Sequence, residues 1–193
     1  MTDTSLTLQV IIGSTRPGRN GPLIAQWAAE QARAHGRFTV ELVDLADFKL
    51  PILDEIAHPR FSTYEHEHTK RWSASVKRGD AYLFVLPEYD YSMPASVLNA
   101  LQVLYHEWSY KPAAFVSYGG ESGGLRSVQM TKQAMTTFKL VPIVETVSVH
   151  YLPRHIDKAA GTFTPEPDYA KKATVMLDEL HRWAVALRTL RPA

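Results

Sequence analysis

Five short apolar runs recur along the chain with stretches of helical periodicity between them, and they constrain the fold more than any other feature. They are LTLQVII from Leu6 to Ile12, Phe38 to Val43, AYLFVL from Ala81 to Leu86, AAFVSY from Ala113 to Tyr118, and a run around Val144 to Val149. Strands apolar on both faces need cover on both sides, which crossover helices give to a parallel sheet. The pattern therefore predicts an α/β fold with a doubly wound, five-stranded parallel sheet in the order 2-1-3-4-5.

The intervening segments fit that layout. From Pro22, Leu23, Ile24, Trp27, Ala28 and Ala32 fall near helical spacing and Gly36 supplies a stop. Further helices are expected leading into Arg71–Lys77, over Ser96 to Trp108, over Leu125 to Phe138 and over about Pro167 to Leu190. The last carries Ala173, Met176, Leu177, Leu180, Trp183, Ala184 and Leu187 on one stripe. Asp47 to Tyr64, broken by Pro51 and Pro59, reads as a surface loop. At 193 residues with no linker-like tract, the expectation is a single domain over 1–193.

Charge and cysteine content exclude several functions. Twenty-one basic against twenty acidic residues leave a net charge of +1, which gives no global case for binding nucleic acid or a membrane. The absence of cysteine removes disulfide scaffolds, thiolate metal sites and cysteine nucleophiles, so redox chemistry needs a bound cofactor. Met1 to Thr7 shows no secretory leader pattern and no stretch reaches the length of a membrane span, so a cytoplasmic protein is expected.

In such a sheet, ligands bind outside the carboxyl ends of the strands. Three loops there are chemically loaded. Gly13-Ser-Thr-Arg-Pro-Gly-Arg-Asn-Gly21 combines flexible backbone, hydroxyls and two guanidinium groups before a helix N-terminus, a composition suited to phosphate. Gly13-x4-Gly18 is followed by Arg19-Asn20 where nucleotide hydrolysis needs Lys and Ser/Thr, and G-x-G-x-x-G is missing, so a mononucleotide phosphate fits best. Leu86-Pro-Glu-Tyr-Asp-Tyr-Ser-Met-Pro94 offers stiff backbone and flat aromatic faces. Gly119-Gly-Glu-Ser-Gly-Gly124 permits close backbone approach to a ligand.

Three motifs in this order, G-S-T-R, P-E-Y and Gly-Gly-x-Ser-Gly-Gly-x-Arg ending at Arg126, make the chain resemble the NADPH-dependent FMN reductases of flavodoxin-like fold, which include quinone, azo-dye and chromate reductases. The resemblance implies FMN as cofactor and NADPH or NADH as co-substrate. It places Ser14, Arg16, Arg19 and Asn20 at the phosphate, Pro87, Glu88, Tyr89 and Asp90 along the isoalloxazine ring, and Tyr118, Gly119 and Gly120 on the strand 4 side. It assigns no catalytic side chain and no metal, since the cofactor carries the chemistry. Asp90, where many members carry Asn, would set a carboxylate beside a reduced flavin.

A planar electron acceptor is expected against Tyr89, Tyr91 and Met93, with alternating occupancy and ping-pong kinetics. A homodimer or homotetramer is expected to cover the site through the aromatic stretch Tyr105, His106, Trp108 and Tyr110. Two other readings compete. One is a noncatalytic FMN-binding electron carrier. The other is a serine hydrolase, because Gly120-Glu-Ser-Gly-Gly124 matches G-x-S-x-G and Asp157 and His181 follow Ser122 in order. His66 and His68, two residues apart, read as part of a solvated charged segment.

Overall fold

The computed structural model describes residues 6–191. The start of the N-terminal stretch read for a leader, residues 1–5, lies outside them. Strands β1 (Leu6–Ile12), β2 (Phe38–Asp44), β3 (Ala81–Pro87), β4 (Lys111–Tyr118) and β5 (Leu140–Val149) form one parallel sheet in the order β2-β1-β3-β4-β5. The expected topology is therefore the observed one. Helices α1 (Gly21–His35) and α6 (Pro167–Arg188) cover one face; α3 (Glu67–Arg78), α4 (Ala95–Gln102) and α5 (Leu125–Met135) cover the other. Alternate residues of β3 serve the two cores, Leu83 and Val85 on the α1/α6 side and Tyr82, Phe84 and Leu86 on the other.

Several boundaries differ from expectation. The helix predicted to Trp108 stops at Gln102, and His106–Trp108 is a separate 3-10 turn. The indole of Trp72 donates to Ala100 O (2.9 Å) and that of Trp108 to Leu101 O (3.2 Å), satisfying carbonyls released where the helix ends. Within the aromatic stretch expected to cover the site, Trp108 is fully buried and Tyr105 packs edge-on against Phe138, while His106 is exposed and Tyr105 and Tyr110 are half-buried. The helix from Leu125 ends at Met135 and finishes as a 3-10 turn over Thr136–Phe138, and β5 begins at Leu140 rather than near Val144. Trp183 leaves the buried stripe of α6; it is 39% exposed and its indole donates to Glu179 on the same helix. The Asp47 to Tyr64 loop holds the end of a short helix, α2 (Leu45–Phe48), and one 3-10 turn.

At the amino end of the sheet, polar groups are spent on the fold itself. The Lys111 ammonium lies under the last turn of α3 and donates to Val76 O (3.0 Å), Lys77 O (3.4 Å) and the Tyr82 hydroxyl (3.0 Å). Burial, joined by repulsion from Arg191, pushes its pKa down to about 7. Arg191 in turn pairs with Asp80, whose carboxylate also accepts from Thr7 N (2.9 Å).

Candidate functional site

The parallel register brings the ends of β1, β3 and β4 side by side, so the three loops meet at one edge. After β1, Gly13 threads a gap that no side chain could share: a Cβ there would lie 2.7 Å from Val97 and 2.8 Å from Leu86. Ser14 is fully buried and its hydroxyl lies 2.7 Å from the Tyr89 hydroxyl. Arg16 is exposed, with Nε donating to the same phenol (3.4 Å), while Thr15, Pro17 and Gly18 are open to solvent. Asn20 caps α1 without a side-chain hydrogen bond, and with Pro22 lacking an N–H and Leu23 donating to Asn20 O (3.2 Å), the first turn leaves the Gly21 N–H toward this loop.

Arg19 points elsewhere than expected. Its guanidinium pairs with Asp44, the last residue of the neighbouring β2, which the register sets opposite Ile12. One side of that guanidinium, Nε, remains buried and unpartnered.

Beneath the same loop lies the Tyr118 side chain. It is 5% exposed, and its hydroxyl has no hydrogen-bond partner. A Cβ at Gly21 would sit 3.1 Å from that oxygen, so glycine at the start of α1 leaves it room. Burial raises the phenol's pKa above its usual value, with Tyr89 adding to the shift and Arg16 and Arg19 opposing it. The group is therefore a protonated donor facing the cationic loop. A buried donor left unmade costs about 1–3 kcal/mol, and a ligand acceptor would recover that loss.

The loop after β3 is rigid. Tyr89 and Ser92 exchange backbone hydrogen bonds (3.1 and 2.9 Å) around Asp90 and Tyr91, both left-handed at φ 48° and 65°, which is a two-residue primed turn. Asp suits such a position, and Asp90 is exposed, so this residue serves the turn. Tyr91 is exposed and lies under the Arg126 guanidinium, 4.1 Å from the ring centroid. Met93, expected to border the acceptor, is instead buried with its sulfur 3.6 Å from the Thr131 hydroxyl.

Glu88 is tied to the third loop rather than left open toward a ring. Its carboxylate accepts from the Ser122 hydroxyl (2.8 Å), the Arg126 guanidinium (2.8 Å) and Arg126 N–H (3.1 Å). Burial opposes its ionisation, but these donors prevail and hold it below the usual glutamate range. The glycines beyond β4 divide the work. Gly124, at φ 86°, would drive a Cβ to 2.8 Å from Tyr118 N, whereas a Cβ at Gly120 would meet nothing within 4 Å, so backbone there borders open space.

The hydrolase constellation does not assemble. Ser122 is engaged by Glu88, Asp157 caps the N–H groups of Ala159 and Ala160, and His181 packs on Phe38 at the opposite, amino end of β2. His66 and His68 stack on each other and both contact Asp54.

Residues 6–153 match the family described as NADPH-dependent FMN reductase. The chain belongs to that family. It is 38% identical over 165 residues to an NAD(P)H-dependent FMN reductase of Schizosaccharomyces pombe, covering 84% of this chain and 80% of the relative. It is 30% identical to a quinone reductase of Pseudomonas putida, covering 67% and 69%. Among solved structures it resembles the flavoenzyme NAD(P)H:(acceptor) oxidoreductase FerB of Paracoccus denitrificans, with a TM-score of 0.70 at 20% identity over 94% of this chain and 98% of that one; this likeness speaks to the fold.

The site suits the cofactor that the family name implies. A phosphate needs cationic and neutral donors without a competing carboxylate, and this corner offers Arg16, the N-terminus of α1 and, from the end of β4, the orphaned Tyr118 hydroxyl, with Asp44 already taken by Arg19. A planar ring needs stiff flat walls, which the second and third loops provide.

Proposed function

We propose that this member of the family holds FMN across the three loops and carries electrons from NADPH or NADH to flavin, quinone or a similar planar acceptor. Ser14, Arg16, Asn20 and Tyr118 would hold the phosphate, and Arg19 keeps Asp44 neutralised nearby. Pro87, Tyr89, Gly119 and Gly120 would line the ring, with Glu88 and Asp90 shaping that wall rather than touching it. When bound, FMN supplies the redox chemistry by accepting a hydride and later passing on two electrons.

The chain's own groups position and insulate. The Ser14–Tyr89 hydrogen bond joins the phosphate loop to the ring wall, so the two halves of the site share one geometry. Glu88, ionised and triply hydrogen-bonded, is locked away from proton transfer. The ring wall carries few buried donors that would penalise an unmatched acceptor, which favours breadth of substrate. The Tyr118 hydroxyl, buried without a partner beneath the N-terminus of α1, is the observation that carries this reading.

The test is anaerobic mixing of FMN-loaded protein with NADPH, followed by free FMN or a simple quinone. Rapid bleaching and then recovery of the bound flavin spectrum is expected. A spectrum unmoved by either nicotinamide nucleotide would favour the electron-carrier reading.

A further inference from the structure

The carboxyl end of the sheet holds a second feature, beside the loops proposed for the flavin. A cavity of about 340 Å³ opens beside the phosphate loop, sharing Thr15 with it. One wall is the start of α4, where the Ser96 hydroxyl donates to Gly13 O (2.6 Å) and so fixes the helix to the phosphate loop. The other wall is apolar, built by Leu45, Leu50 and Ile52 from the chain that follows β2. Asn99 holds that wall in place, donating to Pro51 O (2.6 Å) and accepting from Leu53 N (2.9 Å). The result is an open slot with one apolar side and one side carrying Thr15, Ser96 and Asn99, of the size that small-molecule ligands occupy.

The cavity has one cation, Lys49, exposed and held in the left-handed conformation at φ 48° where α2 ends. Asp44, five residues before it, is consumed by Arg19. Among the described residues no carboxylate lies within ion-pairing distance of Lys49. A comparable cavity at the amino end, about 310 Å³, is richer in cations but has them paired: Arg191 with Asp80, Lys111 with helix carbonyls, Lys77 near Glu107 and Lys139 with the Tyr110 hydroxyl. Lys49 thus differs from them in offering its charge to something outside the chain.

NADPH and NADH differ only by the phosphate on the adenosine ribose, and a dianion is selected by a cation that nothing else satisfies. We propose that this cavity receives the adenosine end of the nicotinamide nucleotide, with the base against the Leu45, Leu50 and Ile52 wall, and that Lys49 reads the 2′-phosphate and so sets a preference for NADPH. This rests on the reading that a nicotinamide nucleotide reduces flavin held on the adjoining loops. Lys49 is a specificity residue, remote from the reacting atoms, so its removal changes binding of one nucleotide and leaves the chemical step alone.

The experiment compares steady-state kinetics of the FMN-loaded enzyme with NADPH and with NADH, before and after Lys49→Asn. Asparagine tolerates the left-handed backbone, so the change removes charge without adding strain. KM for NADPH should rise about tenfold, as for loss of one charge-assisted contact, with kcat and all NADH constants within about twofold. Lys49→Arg should retain the preference. Equal losses with both nucleotides, an unchanged ratio, or a rise in the acceptor's KM instead would overturn the assignment. Failure of the parent reading looks different: neither nucleotide would bleach the flavin of the unaltered protein.

Discussion

At the amino end of the sheet, Lys111 donates to two carbonyls and a phenol, and Arg191 is paired with Asp80. At the carboxyl end, Arg16 is exposed with a single long contact to a phenol, Arg19 keeps a buried Nε unpartnered, and the Tyr118 hydroxyl donates to nothing. Both ends are cationic, yet at the amino end the buried cations are paired, with Gln9 Oε1 and His35 Nδ1 left over, whereas at the carboxyl end a guanidinium nitrogen and a phenol beside one loop are left open together. The working end is marked by donors left open together beside a cationic, glycine-bearing loop: an unmade hydrogen bond in a buried setting costs free energy that a ligand acceptor there would return. Within the working end a second contrast applies. The loop after β1 is under-satisfied, as an anion site should be, while the loops after β3 and β4 are cross-braced by Glu88, Ser122 and Arg126, as the wall for a rigid ring should be.

The largest effect should come from disturbing the satisfied end. Lys111→Ala removes the donor to Val76 O, Lys77 O and the Tyr82 hydroxyl, and should destabilise the protein by about 2 to 4 kcal/mol in chemical denaturation while the FMN affinity of the folded fraction stays put. It has a pH signature as well. The folded pKa, about 7, lies below the ordinary 10.5, so the unfolded chain binds more protons between those values. Stability of the unaltered protein should therefore rise with pH across that window, and the variant should lose the rise. A variant as stable as the parent would break the contrast between the two ends.

Next in size is Arg16→Ala. It should weaken FMN binding by about 1.5 to 3 kcal/mol, the range for a hydrogen bond to a charged group, with no change in the melting temperature of the ligand-free protein because Arg16 is exposed. Full flavin affinity in a normally folded variant would remove Arg16 from the phosphate site. The smallest effect, and the sharpest, belongs to Tyr118→Phe. Loss of an unsatisfied buried hydroxyl should leave the ligand-free protein as stable or up to about 1 kcal/mol more so, while FMN binds about 0.5 to 1.5 kcal/mol more weakly. Opposite signs in two titrations of one variant are not what a purely structural tyrosine would give.

The topology was legible because the central strands β3 and β4 are buried on both faces and β1 nearly so; a sheet so patterned has few alternatives. Helix ends were less so. Nothing between Gln102 and Trp108 breaks a helix by propensity; Trp72 and Trp108, from outside the helix, donate to carbonyls of its last turn, a tertiary contact that no local pattern announces. Trp183 fits the apolar spacing of α6 but falls on the flank, where an indole can reach Glu179. In the site, the three loops and their residue types were readable, but pairings that decide each side chain's job depend on neighbours distant in sequence. Arg19 was read as a phosphate ligand, and the register that sets Asp44 beside it explains why it is not free. Glu88 stands 38 residues from Arg126, and no local pattern announces their pairing. The Tyr118 orphan is a property of burial, visible only once the start of α1 at Gly21 lies over its hydroxyl.

The central claim, that the under-satisfied loop after β1 is a phosphate site serving a flavin, is tested most directly by titrating the ligand-free protein with FMN and with riboflavin, which lacks the phosphate. FMN should bind tighter by at least about a hundredfold, as expected when a dianion meets a cation, a helix N-terminus and an unpaired donor together. Equal affinities for the two flavins would contradict the account.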